Sequence, residues 1–108
     1  MAQGKLGAVA VAAAAWTLAY TVPASTVATA NIRIVNRGNT ATTLRVAVTT
    51  SGLATPPDSD MIEFDAILPP SGGVLEDTSI VCSAGEKVMV YSESTAVSVR
   101  VHGFERAV

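Results

Sequence analysis

The chain has 108 residues, which is the length of one domain with one modest hydrophobic core. Hydrophobic residues make up 49% of the chain, charged residues 15% and aromatic residues 5%, so its apolar content is mainly Ala, Val, Leu and Ile. Seven basic and nine acidic residues are spread along the chain without a run of either sign, so nucleic acid is not an expected partner. The low charge favours self-association.

An uncharged stretch runs from Leu6 to Ile32, between Lys5 and Arg33. A membrane-spanning helix needs about 20 mostly apolar residues, and only 17 precede the interruption at Pro23. A signal peptide would normally start with more than one positive charge, and a helix over the Ala-rich run would lack an N-terminal cap residue. We therefore expect no membrane anchor, and we predict an Ala-rich N-terminal arm over residues 1–15.

The arm is expected to lie against a neighbouring subunit, because its small side chains would bury little apolar area in the chain's own core. Val9 and Val11 are its sizeable side chains, and both are candidate interaction residues. Four further candidates follow in the chain: Trp16, Tyr20, His102 and Phe104. With the arm set apart, residues 16–108 are predicted to form one β-sandwich domain.

Alternation of apolar and polar residues predicts short strands throughout that domain. The alternating segments are 16–22, 28–34, 44–48, 62–65, 74–82, 88–91 and 97–102. Turn signals rich in Gly, Pro, Asn and Ser separate them every eight to twelve residues. The predicted fold is all-β with about eight strands, either an antiparallel sandwich or a jelly roll. Twelve residues are expected mostly inside: Ile32, Ile34, Leu44, Val46, Val48, Ile62, Phe64, Val88, Val90, Val97, Val99 and Val101.

Residues with reactive side chains do not form a catalytic pattern. His102 is the only histidine of the sequence, and no Ser or Cys accompanies it in a triad-like context. Cys82 is the only cysteine, which excludes an internal disulfide, and it is expected to be a small buried hydrophobe. We therefore predict that the chain is not an enzyme and needs no cofactor.

Charged residues are expected to be solvated. The acidic cluster Asp58, Asp60, Glu63 and Asp65 lacks the glycine and ligand order of a calcium loop, so no metal is predicted. Several arginines could share one outer sheet face and pair with acids, namely Arg33, Arg37, Arg45 and Arg100.

Two stretches carry a family resemblance: YTVPASTVATANIRIVNRGNTATTLRVAV (Tyr20 to Val48) and IEFDAILPPSGGVLEDTSIVCSAGEKVMVYSESTAVSVRVHGFE (Ile62 to Glu105). They resemble small β-sandwich virion proteins of tailed bacteriophages. The shared motifs are the VPA corner, the NRG turn, the GVLE segment and the closing VSVRVHGFE strand. The resemblance covers most of the chain after residue 16.

The resemblance implies a structural protein of the virion, assembled in the host cytoplasm. Its implied role is capsid decoration (a cement protein), with the major capsid protein or other virion proteins as partners. Copies of the chain are further expected partners, in a homo-oligomer for which a trimer is the first expectation. The alternative is a tail, baseplate or fibre component that contacts neighbouring virion proteins or the host surface. A third hypothesis, a free carbohydrate-binding or other ligand-binding sandwich, is weakened by the few aromatic residues, because sugar platforms need exposed Trp or Tyr.

Overall fold

The computed structural model describes residues 2–52 and 54–108, and most of them are in β-strands. The strands are β1 (Gln3–Ala10), β2 (Ala15–Thr21), β3 (Thr26–Asn36), β4 (Thr42–Thr49), β5 (Met61–Leu68), β6 (Gly73–Cys82), β7 (Lys87–Ser92) and β8 (Val97–Ala107). A single 3-10 turn over Asp58–Asp60 is the helical part of the described residues. The predicted all-β class is confirmed.

The strands form two four-stranded antiparallel sheets that pack as a sandwich. Sheet 1 has the order β1-β8-β3-β6, and sheet 2 has the order β2-β7-β4-β5. β1 pairs with β8, β2 with β7, β3 with β6 and β4 with β5. Each strand of the first half therefore pairs with its counterpart counted from the chain's other end.

The core is made of aliphatic side chains from the inner faces of both sheets. Nine of the twelve predicted core residues are buried: Ile32, Ile34, Leu44, Val46, Val88, Val90, Val97, Val99 and Val101. Val48 is partly buried and packs against this cluster. Small residues such as Ala28 and Ala30 are also fully buried in this core.

Strand β5 departs from the predicted core pattern. Ile62 and Phe64 were expected inside, but they are 40% and 57% exposed. Leu44 pairs with Ala66 and Val46 pairs with Glu63, so two residues of β5 oppose one residue of β4 between those pairs. This bulge shifts the alternation by one residue and turns Ile62 and Phe64 outward, because the side-chain period of a strand is two.

The N-terminal segment also differs from the predicted arm. Residues 3–10 form β1, which pairs with β8 of the same chain from Gln3 opposite Phe104 to Ala10 opposite Ser98. Val11 is only 2% exposed, and its amide donates to the Val97 carbonyl at 2.9 Å.

Close packing explains how such small residues find a place in the chain's own sandwich. A Cβ at Gly7 would come within 2.1 Å of the Ala19 carbonyl oxygen, so only glycine lets β1 approach β2 this closely. Backbone hydrogen bonds to β8 then add to the limited burial of the side chains.

Candidate interaction surfaces

The six candidate interaction residues lie in three different places. His102 and Phe104 are on the outer face of sheet 1, where His102 is half-buried and Phe104 is 64% exposed. Trp16 is on the outer face of sheet 2. Val11 and Tyr20 are buried and Val9 packs against the core, so these three contribute to the chain's own sandwich.

Tyr20 has an internal partner. Its hydroxyl donates to a Glu105 carboxylate oxygen at 2.5 Å, and the other Glu105 oxygen accepts from the Ala2 amide at 3.2 Å. Burial, and then the neighbouring carboxylate, raise the pKa of Tyr20 well above its usual value. The residue therefore ties β2 to β8 instead of presenting its hydroxyl to a partner.

Sheet 1 presents a basic outer face, which we define by Lys5, Arg33, Arg37, Arg100 and Arg106. The strand register brings these residues to the same side of the sheet. Lys5 lies opposite His102, and Arg33 lies opposite Arg100. Arg37 reaches the same face, where its Nε donates to the Ser98 hydroxyl at 2.7 Å. The charges come from separate parts of the sequence, so the chain shows no basic run.

Charge is unevenly divided over the molecule. The basic face carries five of the seven cationic residues and one acid, Glu76, opposite Arg33. The remaining two cations and eight acids lie elsewhere in the chain. A net charge of only −2 therefore conceals a positive face on a protein that is otherwise strongly negative.

Two arginines at the middle of the basic face are direct cross-strand neighbours. Arg33 and Arg100 oppose each other on the adjacent strands β3 and β8, and like charges in that position repel. Arg33 has one weak counter-charge, Glu76 at 3.5 Å. Within the described part of the chain, Arg100 forms neither a hydrogen bond nor an ion pair. The face thus places uncompensated positive charge in the middle of a sheet.

Apolar side chains lie next to these charges. Phe104 and Val81 both lie opposite Thr29 in one cross-strand row, and Val81 is 67% exposed. Val74 is 41% exposed further along the edge strand β6. In the middle of the face, His102 Nδ1 is buried and lacks a hydrogen-bond partner among residues 2–52 and 54–108. Exposed apolar groups beside charge are typical of protein-binding surfaces.

Sheet 2 presents an aromatic outer face, which we define by Trp16, Arg45, Phe64 and Tyr91. These side chains form one row across all four strands. The rings of Trp16 and Tyr91 are 5.7 Å apart, and the Arg45 guanidinium carbon is 4.1 Å from the Phe64 ring centre. Such spacings are favourable for aromatic and cation–π contacts.

An ion pair with Asp65 holds Arg45 in this row. Its Nε donates to Asp65 Oδ1 at 2.7 Å, and a second guanidinium nitrogen lies 3.3 Å from Oδ2. The carboxylate raises the pKa of Arg45, and Arg45 lowers the pKa of Asp65. The aromatic face is therefore close to electrically balanced around its one arginine.

An open groove of about 540 Å³ runs along the aromatic face. Trp16, Tyr91, Arg45 and Met89 line its floor, and Ala54 and Thr55 of the loop after β4 line it as well. It combines aromatic rings with a fixed polar group, a combination that suits a small ligand or an inserted side chain.

The edge of the sandwich where β5 meets β6 is acidic, and we define this acidic edge by Asp58, Asp60, Glu63, Asp65 and Asp77. The sequence from residue 46 to 86 contains no Lys, Arg or His. Glu63 of β5 faces Asp77 of β6, and the two carboxyls form a hydrogen bond when one of them holds a proton. Asp77 Oδ2 is buried and has no hydrogen-bond donor among the residues that the structure describes.

That carboxyl pair raises the pKa of Glu63 to about 7. The hydrogen bond to Asp77 is the largest cause, followed by burial and by the repulsion between two negative charges. The acidic edge therefore changes its charge near neutral pH.

The other reactive groups do not come together. Burial raises the pKa of the Cys82 thiol to about 11, which keeps it as an unreactive thiol. Within residues 2–52 and 54–108, no three His, Cys, Asp or Glu side chains are grouped as metal ligands. Over the same residues, no helix has the length and apolar character needed to cross a membrane.

No protein-family model, curated protein or solved structure matches this chain. The surfaces therefore have to be interpreted from their own chemistry. The sequence analysis grouped Arg33, Arg37 and Arg100 of the basic face with Arg45 on one sheet face. In the structure, Arg45 lies on the other sheet. The sequence analysis also missed the row on the aromatic face, because β5 contributes Phe64 only through its bulge.

Proposed function

We propose that this chain is a structural protein of a tailed-bacteriophage virion, and that its role is capsid decoration. It stabilises the head lattice through contacts with copies of itself and with the major capsid protein. The resemblance of Tyr20 to Val48 and of Ile62 to Glu105 to small β-sandwich virion proteins supports this assignment.

The observation that carries the proposal is the strand pairing. A jelly roll is one long antiparallel hairpin wrapped into two four-stranded sheets, so that strand 1 pairs with 8, 2 with 7, 3 with 6 and 4 with 5. The pairing and the sheet orders of this chain follow that scheme. We therefore infer a jelly roll, an architecture used in viral capsid proteins and also in lectins and cupins.

The surface chemistry also supports a structural role. The basic face, the aromatic face and the acidic edge are open surfaces, each suited to contact with another macromolecule. Among residues 2–52 and 54–108, eight large apolar side chains are at least 40% exposed, including Ile67 at 74% and Phe104 at 64%. An assembly protein needs several such contact surfaces on one small domain.

Immunogold electron microscopy of purified phage particles tests the proposal. Antibodies against the chain are expected to label heads in a regular array. Label confined to tails would overturn the head assignment and favour the alternative, and particles without label would overturn both. A control with particles of an unrelated phage measures nonspecific labelling.

The groove on the aromatic face favours the alternative of a tail, baseplate or fibre component that contacts the host surface. Trp16 and Tyr91 provide ring faces on which a sugar can stack, and Arg45 provides fixed donors. In that case, Trp16→Ala should abolish binding to host-cell polysaccharide while Phe104→Ala on the other sheet leaves it intact. Equal loss in both variants, or no binding by the unmodified chain, would count against this alternative.

A further inference from the structure

The basic face is the strongest unexplained feature of the molecule. Lys5, Arg100 and Arg106 lack acidic partners in the described residues. Arg33 has one weak ion pair, in which its guanidinium lies 3.5 Å from a Glu76 carboxylate oxygen. Repulsion between Arg33 and Arg100 disfavours this arrangement in an isolated chain. An acidic surface laid over the face would remove the repulsion and gain new ion pairs.

Such an acidic surface is present on the same molecule. The acidic edge lies within a 41-residue stretch that has seven acids and no cation. Asp58 is exposed, while Asp60 accepts a hydrogen bond from Thr49 at 2.6 Å and Asp65 is paired with Arg45. A further carboxylate, Glu63, lies against Asp77 and lacks a cation. The acidic edge therefore carries negative charge that Arg45 offsets only at Asp65, and this charge is complementary to the positive charge of the basic face.

Exposed apolar side chains lie beside both of these charged surfaces. Of the eight exposed large hydrophobic residues in the described part of the chain, three lie on β5 beside the acidic edge: Ile62, Phe64 and Ile67. Three others lie on the outer side of sheet 1: Val74, Val81 and Phe104. Each surface therefore combines apolar groups with charge, positive on the basic face and negative on the acidic edge. This is the composition expected of two surfaces that bind each other.

We propose that the basic face of one copy docks against the acidic edge of a second copy. The inference rests on the self-association included in the proposed function and names the surfaces that carry it. The two surfaces belong to different parts of the sandwich, so the contact is head-to-tail. A repeated head-to-tail contact closes into a ring when its rotation permits, and a three-membered ring would be the expected trimer.

Two sets of charge-neutralising variants test this contact in analytical ultracentrifugation of the purified chain. Arg100→Ser with Arg106→Ser removes cations from the face, and Asp58→Asn with Glu63→Gln removes acids from the edge. Each double variant should weaken self-association about tenfold at low ionic strength. A mixture of the two should recover association as 1:1 dimers that grow no further, because each variant retains one intact surface.

Two control variants each remove one charge, one positive and one negative, from elsewhere in the chain. Lys87→Ser and Glu93→Gln lie outside both surfaces and should leave self-association within about twofold of the unmodified chain. Raising the ionic strength from about 0.01 M to about 1 M, which shortens the Debye length from about 30 Å to about 3 Å, should dissociate the unmodified oligomer. Melting temperatures of all variants confirm that they remain folded.

Four results would overturn the proposal. The unmodified chain could remain a monomer at low ionic strength, or the controls could weaken association as much as the test variants do. The mixture could fail to recover dimers, which would indicate that each surface binds its own copy. A monomer that binds duplex DNA through Arg100 and Arg106 would assign the basic face to a polyanion instead. None of these results decides where the chain lies on the particle, which the labelling experiment measures independently.

Discussion

Arg45 and Arg100 occupy comparable positions on the two sheets. Each lies on an inner strand, β4 or β8, with a neighbouring strand on both sides. Arg45 contacts the Phe64 ring and is paired with Asp65. Arg100 faces Arg33 across the strands and forms no ion pair among the described residues.

The difference separates a face whose charge the chain balances by itself from a face that the chain leaves positively charged. On the aromatic face, one chain supplies both the cation and the groups that stabilise it. On the basic face, Glu76 is the one acid that the chain places opposite a cation, and the repulsion between Arg33 and Arg100 is left largely uncompensated. The core beneath the two faces is of the same aliphatic kind, so the contrast lies in surface chemistry.

Removal of β1, the outer strand of the basic face, should lower the stability of the chain more than the other changes considered below. Deletion of residues 2–14 exposes one side of β8 and removes buried Val11, worth about 2 kcal/mol, together with several backbone hydrogen bonds. We expect a loss of about 5 kcal/mol and a fall in Tm of about 20 °C by calorimetry. Lys5→Ser is the matched control and should change Tm little. A truncated chain with nearly unchanged Tm would restore the interpretation of this segment as an arm.

Replacement of each of the two arginines by alanine should lower stability at position 45 but not at position 100. Arg45→Ala loses the Asp65 pair and the Phe64 contact, so Tm should fall by about 4 °C. Arg100→Ala relieves the repulsion from Arg33, so Tm should stay constant or rise slightly. Thermal melts at low ionic strength and at a protein concentration that keeps the chain monomeric measure both. A larger loss for Arg100→Ala than for Arg45→Ala would refute the contrast.

The smallest effect concerns pH and the acidic edge. The folded chain raises the pKa of Glu63 to about 7 from its usual 4.5, so the folded state holds a proton that the unfolded state releases between these values. This contribution to stability is complete below about pH 4.5 and is lost as pH rises through 7. Glu63→Gln should therefore have a higher Tm than the unmodified chain at pH 8. The variant should also lose the fall in Tm that this group causes as pH rises. Parallel Tm-against-pH curves for the two proteins would contradict the assignment.

Much of the fold could be predicted from the sequence, because alternation at period two marks inward-facing residues such as Ile32, Ile34 and Val99. The prediction failed where a bulge changes the phase of a strand, as it does between Glu63 and Ala66. Nothing in the local pattern of β5 indicates that bulge, since it depends on the pairing with β4.

The surfaces were harder to predict than the core. Lys5, Arg33 and Arg100 lie far apart in the sequence, and only the register of β1, β8 and β3 brings them to one face. The close approach of β1 to β2 at Gly7 could not be predicted from the sequence either, because it depends on the backbone of Ala19 and not on any side chain.

Arginine footprinting tests the contrast between the two faces most directly. The chain, free and in the proposed virion particle, is treated with an arginine-specific dicarbonyl reagent, and modification at each site is measured by mass spectrometry. In the free chain, Arg100 and Arg106 should react quickly and Arg45 slowly, since Asp65 and Phe64 hold its guanidinium. In the particle, Arg100 and Arg106 should become protected while Arg45 is unchanged. Protection of Arg45 with continued reactivity of Arg100 would contradict the account.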